Sequence, residues 1–247
     1  MAYAANNYGA MLSTFIYTMT YLVFIDAIFN KVKTIAGYSY GEILLLLLLA
    51  QMAFYLTYTF SSASINVLAE NVKNGNLDLW LTRPVPILWF VSVQKINLNG
   101  LIMDGIPAII VVSTVLSKNI DFSVTTTNLV AGILVMIVGL IICHCFQFMM
   151  NTSCFWVGEN RNMRNLIFEM VTFGDSIPFE GYSANFQKFG FLFLPPMITS
   201  ALATSVLLGK SDWQVYLPIV STIMVVFLWL NMKVWEIALK HYSSASS

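Results

Sequence analysis

The chain has 247 residues, of which 58% are hydrophobic and only 10% charged; its net charge is zero and its mean hydropathy is +0.75. An average soluble domain carries about 25% charged residues, so a water-facing globular fold is excluded and lipid is the expected solvent. The neutral balance gives no electrostatic footprint for nucleic acid, and the three cysteines, Cys143, Cys145 and Cys154, lie in or beside one apolar run and form no disulfide framework.

The first apolar run, Met11–Phe29, is interrupted only by Asp26. It lacks the basic flank of a signal peptide and reads as a retained transmembrane helix. The second, Ile43–Ile65, contains six consecutive leucines. It leads into the polar stretch NVKNGNLDLWLTRPV, residues 71–85. Ile65, Leu68 and Val72 share one helical stripe, and Asn66, Glu70, Lys73 and Asn74 lie off it. Asn74-Gly75 is a helix-stop signal. Asn76 can cap a second short helix with Asp78 in its first turn, and Leu77, Trp80 and Leu81 give that helix an apolar face. Pro84 disfavours helix at Arg83. The residues alone leave two readings open: an interfacial turn anchored by Trp80, with Arg83 at the phosphates, or a compact unit shaped for a partner.

The third run, Ile96–Leu116, places Asn97, Gly100 and Asp104 at i, i+3 and i+7. An acid in lipid is expensive and faces protein or water. Asp104 therefore lines a transport path or gate, or makes an interhelical hydrogen bond or a salt bridge, with Lys95 as a possible partner. The fourth run, Leu129–Phe155, contains Cys143-His144-Cys145. Neighbouring helical residues point about 100° apart, so these three do not converge on a metal ion; His144 is expected to be hydrogen-bonded inside the bundle. A second charged loop follows, FWVGENRNMRN, with Glu159, Arg161 and Arg164. These meet anionic lipid or a protein partner.

Residues 163–208 admit two full crossings or one crossing followed by a re-entrant hairpin. Leu166–Phe173, with Glu169 inside it, is short, and Gly174, Pro178, Gly181, Gly190 and Pro195-Pro196 interrupt the remainder. This density of breakers favours the hairpin, provided its irregular backbone is packed in protein. Gly209-Lys210-Ser211 looks like the end of a phosphate-binding loop, but Thr204 stands where that pattern requires glycine, so no nucleotide site is expected. Tyr216–Trp235 is the last run.

Residues 1–247 thus read as one all-α integral membrane domain with six transmembrane helices and both termini on one side. If that side is cytoplasmic, Lys73, Arg83, Lys95, Arg161, Arg164, Lys233 and Lys240 lie inside and Lys31, Lys33, Lys118, Lys188 and Lys210 outside. All three arginines then fall inside, which orients the chain with its termini and the 71–85 stretch in the cytoplasm.

ENVKNGNLDLWLTRPV resembles the segment after the second helix in ABC-2-type permeases, in which an acidic residue, a Leu-Asp step and an Arg-Pro turn recur. IAGYSYGE (35–42), CFWVGEN (154–160) and ALKHYSSAS (238–246) extend the resemblance along the chain in order. It is closest to the six-helix "ABC-2 family transporter" permeases of bacteria. In one respect the chain departs from the pattern: the usual long basic segment before the first helix is reduced to about ten residues with no Lys or Arg before Lys31.

The resemblance implies a permease of the bacterial inner membrane that dimerises with an identical or related chain and binds separate ATPase subunits carrying ATP and Mg. This chain would have no catalytic residue, metal or cofactor of its own. The loop after the second helix would be a coupling helix seated on the ATPase, with Glu70, Lys73, Gly75, Asp78, Trp80, Arg83 and Pro84 as its contact and shaping residues. Export of a hydrophobic or amphipathic compound is the implied activity. A membrane enzyme acting on lipid, the rival class, needs a His/Asp/Glu cluster at one membrane surface, and the chain has only two histidines, His144 and His241. A non-transporting membrane scaffold is the third alternative; it would purify without an ATPase.

Overall fold

The computed structural model describes residues 2–157, 165–166, 169 and 177–242, and among these it contains helix, turn and a single isolated bridge. The segments are α1 (Ala2–Phe29), α2 (Tyr40–Lys73), α3 (Leu77–Leu81), α4 (Ile87–Val93), α5 (98–117), α6 (Thr126–Asn151), α7 (Cys154–Val157), α8 (Ala184–Phe193), α9 (Ile198–Leu207) and α10 (Trp213–His241). Five stretches are long and apolar enough to cross a membrane: Tyr8–Phe29, Tyr40–Lys73, Ile87–Ser117, Thr126–Val157 and Trp213–His241. The fold is the expected all-α membrane domain. The fifth apolar run, Leu166–Phe173, lies largely outside the described residues.

The third span begins earlier than its hydropathy suggests. Ile87–Val93 is already helical, and the chain breaks at 94–97 before continuing as α5. The freed backbone groups at the break are satisfied by α2: Asn97 N–H donates to the Thr59 carbonyl at 3.0 Å, and the Ser64 hydroxyl donates to the Lys95 carbonyl at 2.8 Å and accepts from Lys95 N–H at 2.9 Å. Three π-helical turns, at Tyr58–Ser62, Leu101–Gly105 and Ile198–Leu202, widen α2, α5 and α9. Such turns shift the phase of everything after them.

The breaker-rich segment is a re-entrant hairpin. α8 and α9 meet at a bend of 114° around Leu194–Met197. Its two limbs begin and end at the same end of the bundle. There Glu180 accepts from the Tyr38 hydroxyl, from Ser205 and from Ser211, so a carboxylate before the hairpin joins the far end of α9 to the loop before α2. Lys210 donates to the Gly37 carbonyl at 3.0 Å, pairs with Glu42 at 3.0 Å and covers the Tyr38 ring. Glu42 completes a capping box with Ser39 at the start of α2. The IAGYSYGE sequence is therefore a structural clasp. Tyr38 is fully buried, and burial first, then the Glu180 carboxylate, push its phenol far above the ordinary tyrosine value, so it remains a neutral donor.

α9 is buried on all sides, from Ile198 to Leu207. It packs along the first half of α6, where glycines allow close approach. A β-carbon on Gly132 would lie 2.7 Å from Leu207 Cβ, and one on Gly139 would lie 2.9 Å from Thr199 Cγ2. The rest of the core joins α2, α5, α6, α9 and α10 through Leu44, Leu46, Val112, Val135, Ile198, Leu202 and Val220.

Gly132→Val is expected to push α9 off α6. Overpacking of this kind costs about 1–3 kcal/mol. The purified chain should melt several degrees lower in a thermal-shift assay, and Gly9→Val, where nothing lies within 4 Å, should leave the midpoint unchanged.

Candidate functional site

The polar unit between α2 and α4 is built from backbone geometry outward. At the end of α2, Asn76 N–H donates to the Asn71 carbonyl at 3.0 Å and Gly75 N–H to the Val72 carbonyl at 3.4 Å, while Gly75 holds φ +72°. This is the paired hydrogen bonding of a Schellman stop, which needs a left-handed residue. Gly75 thus sits at the one conformation in the unit that a side chain would strain. Asn76 stands at the start of α3 with helical dihedrals and makes no side-chain cap. The expected Asn76 cap is therefore corrected: the Schellman bonds already engage its backbone, and its position lies within the turn rather than before it.

α3 folds back under the bundle. Leu77 is fully buried and Trp80 nearly so, in a cluster with Ile65, Leu68, Val91, Phe148 and Trp235. Trp80 meets Phe90 edge-on at 5.7 Å, and the Arg83 guanidinium lies over Phe90 at 4.8 Å. Leu81, expected on the same apolar face, is 41% exposed. In a five-residue helix whose buried side is set by Leu77 and Trp80, Leu81 rotates outward. The opposite surface of the unit presents Asn66, Glu70, Lys73, Asn74, Leu79, Arg83 and Pro84 to the exterior. Asp78 is half-buried beside Tyr242, where burial first and the neighbouring carboxylate second raise the Tyr242 phenol above its ordinary value. The last turn of α10 thereby buttresses α3. Glu159, Arg161 and Arg164 of the second charged loop lie outside the described residues.

Asp104 lies in the π-helical turn of α5, against which α1 and α2 pack. Its Oδ1 is buried with no hydrogen-bond partner, as is Thr18 Oγ1 on α1. Among the described residues no ion pair joins it to Lys95, which sits in the chain break and is exposed. The expected common face of Asn97, Gly100 and Asp104 is also corrected. Asn97 is the cap of α5, accepting from Gly100 N–H at 3.3 Å, and the intervening π turn rotates Asp104 away from the i+7 position.

His144 bonds to the Ser61 hydroxyl at 2.9 Å, and Ser61 and Ser62 donate to Gln147 Oε1 at 3.3 and 3.2 Å. This α2–α6 polar seam contains the expected hydrogen bond of His144. Its remaining members were not singled out from the sequence, although His144, Gln147 and Asn151 recur at i, i+3 and i+7 on α6. Cys143, Cys145 and Cys154 are buried free thiols, and among the described residues no three His, Cys, Asp or Glu side chains converge.

A family model described as "ABC-2 family transporter protein" matches residues 15–246, nearly the whole chain. No curated protein sequence and no solved structure matches the chain.

Removing the unpartnered buried acceptor at position 104 should relieve a penalty of about 1–3 kcal/mol. Asp104→Leu is therefore expected to raise the thermal midpoint of the purified chain. Asp104→Asn, which keeps a buried polar group, should gain less.

Proposed function

This chain belongs to the ABC-2 family of transporter proteins, and as a membrane permease of an ABC transporter it is the premise from which we propose that residues 66–84 are its coupling element. The element docks on a separate ATPase subunit that binds ATP and Mg. One observation carries the reading: the unit has a buried apolar underside, a glycine-locked turn and an exposed polar top. A segment that only anchors the chain in the interface has no need of a fixed shape. A segment that transmits motion must be stiff towards the membrane domain and complementary towards its partner.

In this reading Glu70, Lys73 and Arg83 supply polar contacts. Asp78 and Trp80 hold α3 to the bundle, Gly75 sets the angle between α2 and α3, and Pro84 turns the chain back towards α4. The termini and this element are cytoplasmic, the membrane is the bacterial inner membrane, and the clasp around Glu180 faces outward. Glu159, Arg161 and Arg164 form a second cytoplasmic contact. A second permease chain, identical or related, completes the transport unit within the surrounding lipid, and the direction is export of a hydrophobic or amphipathic compound. Asn97 and Asp104 border the path of that compound.

Capture of the ATPase by tagged permease tests the central claim. Gly75→Val strains the backbone by about 1 kcal/mol or more and redirects α3, so the chain should insert normally while ATPase capture and transport fall. Wild-type capture and transport by this variant would show that the segment is an interfacial turn.

Charge reversal at Glu70, which is exposed, gives an independent reading. Exposed charges are screened with a Debye length of about 10 Å at 0.1 M salt. The loss of ATPase capture should accordingly be larger at low ionic strength than at high, as measured by titrating salt in the same pull-down.

A further inference from the structure

A cavity of about 730 Å³ lies between α2, α4, α6 and α10, at the depth of the His144 seam. Its walls are almost wholly apolar, and among the described residues no Asp, Glu, Lys or Arg lines it. Five polar side chains line it, Thr57 and Ser61 from α2, Ser92 from α4, His144 from α6 and Asn231 from α10. Asn231 is only 5% exposed, and its Oδ1 has no hydrogen-bond partner. A buried amide oxygen left unpaired is an unfavourable feature for which a folded protein usually supplies a partner. The Asn231 side chain lines an empty volume of the size that holds a drug-sized molecule. The rim residues Phe60, Trp89 and Met232 are 47%, 63% and 46% exposed, so the mouth opens sideways from the bundle, where lipid lies.

We propose that this cavity binds a neutral amphipathic molecule taken laterally from the bilayer, with its apolar body against the α2, α4, α6 and α10 walls and a hydroxyl or amide hydrogen donated to Asn231 Oδ1. Neutrality follows from the lining: a charged head group would be desolvated there without a counter-charge. A hydrogen-bond donor is required because the open valence at Asn231 is an acceptor. The proposal rests on the permease reading and narrows its substrate class.

The test uses the permease alone in phosphatidylcholine nanodiscs. Three probes share one acyl chain bearing a photoreactive diazirine and differ in head group: glycerol ester, trimethylammonium or carboxylate. Cross-linked peptides are mapped by mass spectrometry, with Leu12 and Phe15 on the outer face of α1 as the reference for ordinary bilayer contact. The glycerol-headed probe is expected to label residues 56–61, 88–93 and 228–232 about five- to tenfold more than either charged probe, as the gain of roughly one hydrogen bond implies. Asn231→Leu should remove that preference, and Leu88→Trp, which fills the cavity and keeps Asn231, should reduce labelling by all three probes. Labelling no higher than at α1, or equal labelling by the three head groups, overturns the proposal; so does wild-type labelling in Leu88→Trp. ATPase capture is measured separately. A permease that captures the ATPase and shows no cavity preference refutes the ligand class alone, whereas a cavity that takes the neutral probe in a chain that binds no ATPase refutes the coupling reading.

Discussion

In hydrocarbon no water is available to satisfy an open N–H or C=O, and most of this architecture follows from that constraint. A straight helix meets it automatically. The hairpin of α8 and α9 does not, because a bend of 114° leaves backbone groups unpaired around Pro195-Pro196. The structure meets the demand by surrounding α9 with α2, α6 and the clasp, and by returning polar side chains to the backbone. Thr199 and Ser200 donate to the Pro196 carbonyl, and Thr204 to that of Ser200. The close approach at Gly132 and Gly139 is what brings the protein wall near enough to exclude lipid. Glu180 and Lys210 then fasten the two ends of the hairpin to the loop that starts α2.

The same constraint explains the break in the third span. Residues 94–97 leave the helix, and the π turn of α2 at Tyr58–Ser62 lies opposite them. Thr59, with its carbonyl turned outward, and Ser64, with its hydroxyl, supply the missing partners. Irregularity in one helix is matched by irregularity in its neighbour. The lateral cavity lies between α4 and its neighbours α2, α6 and α10.

The two ends of the molecule are built differently. At the hairpin end, polar side chains bond to one another across sequence distances of more than a hundred residues, as Tyr38 does with Glu180. At the opposite end the ordering agent is apolar: Leu77, Trp80, Phe148 and Trp235 pack into one cluster and leave Glu70, Lys73 and Arg83 facing out. A clasp of internal polar bonds holds a shape, whereas an apolar base with exposed polar side chains on top offers a surface. Motion applied to α3 would be carried directly to α6 and α10, because Phe148 and Trp235 are part of the same cluster.

The sequence by itself determined the solvent, the helical class and the course of the apolar spans, because hydropathy over about 20 residues is a local property. It also determined the stop at Gly75, since a left-handed turn after Asn74 needs no distant partner. The Schellman bonds at Val72 and Asn71 are where that expectation met the structure. What only the tertiary structure decided were features that depend on contacts remote in the chain. The π turn of α5 rotated Asp104 off the face that an ideal helix would give it. Leu81 turned outward because Leu77 and Trp80 claimed the cluster. The Glu180 clasp and the cavity at Asn231 were not legible in advance, because their residues are scattered along the chain and become neighbours only when lipid drives the helices to bury every open backbone group against one another.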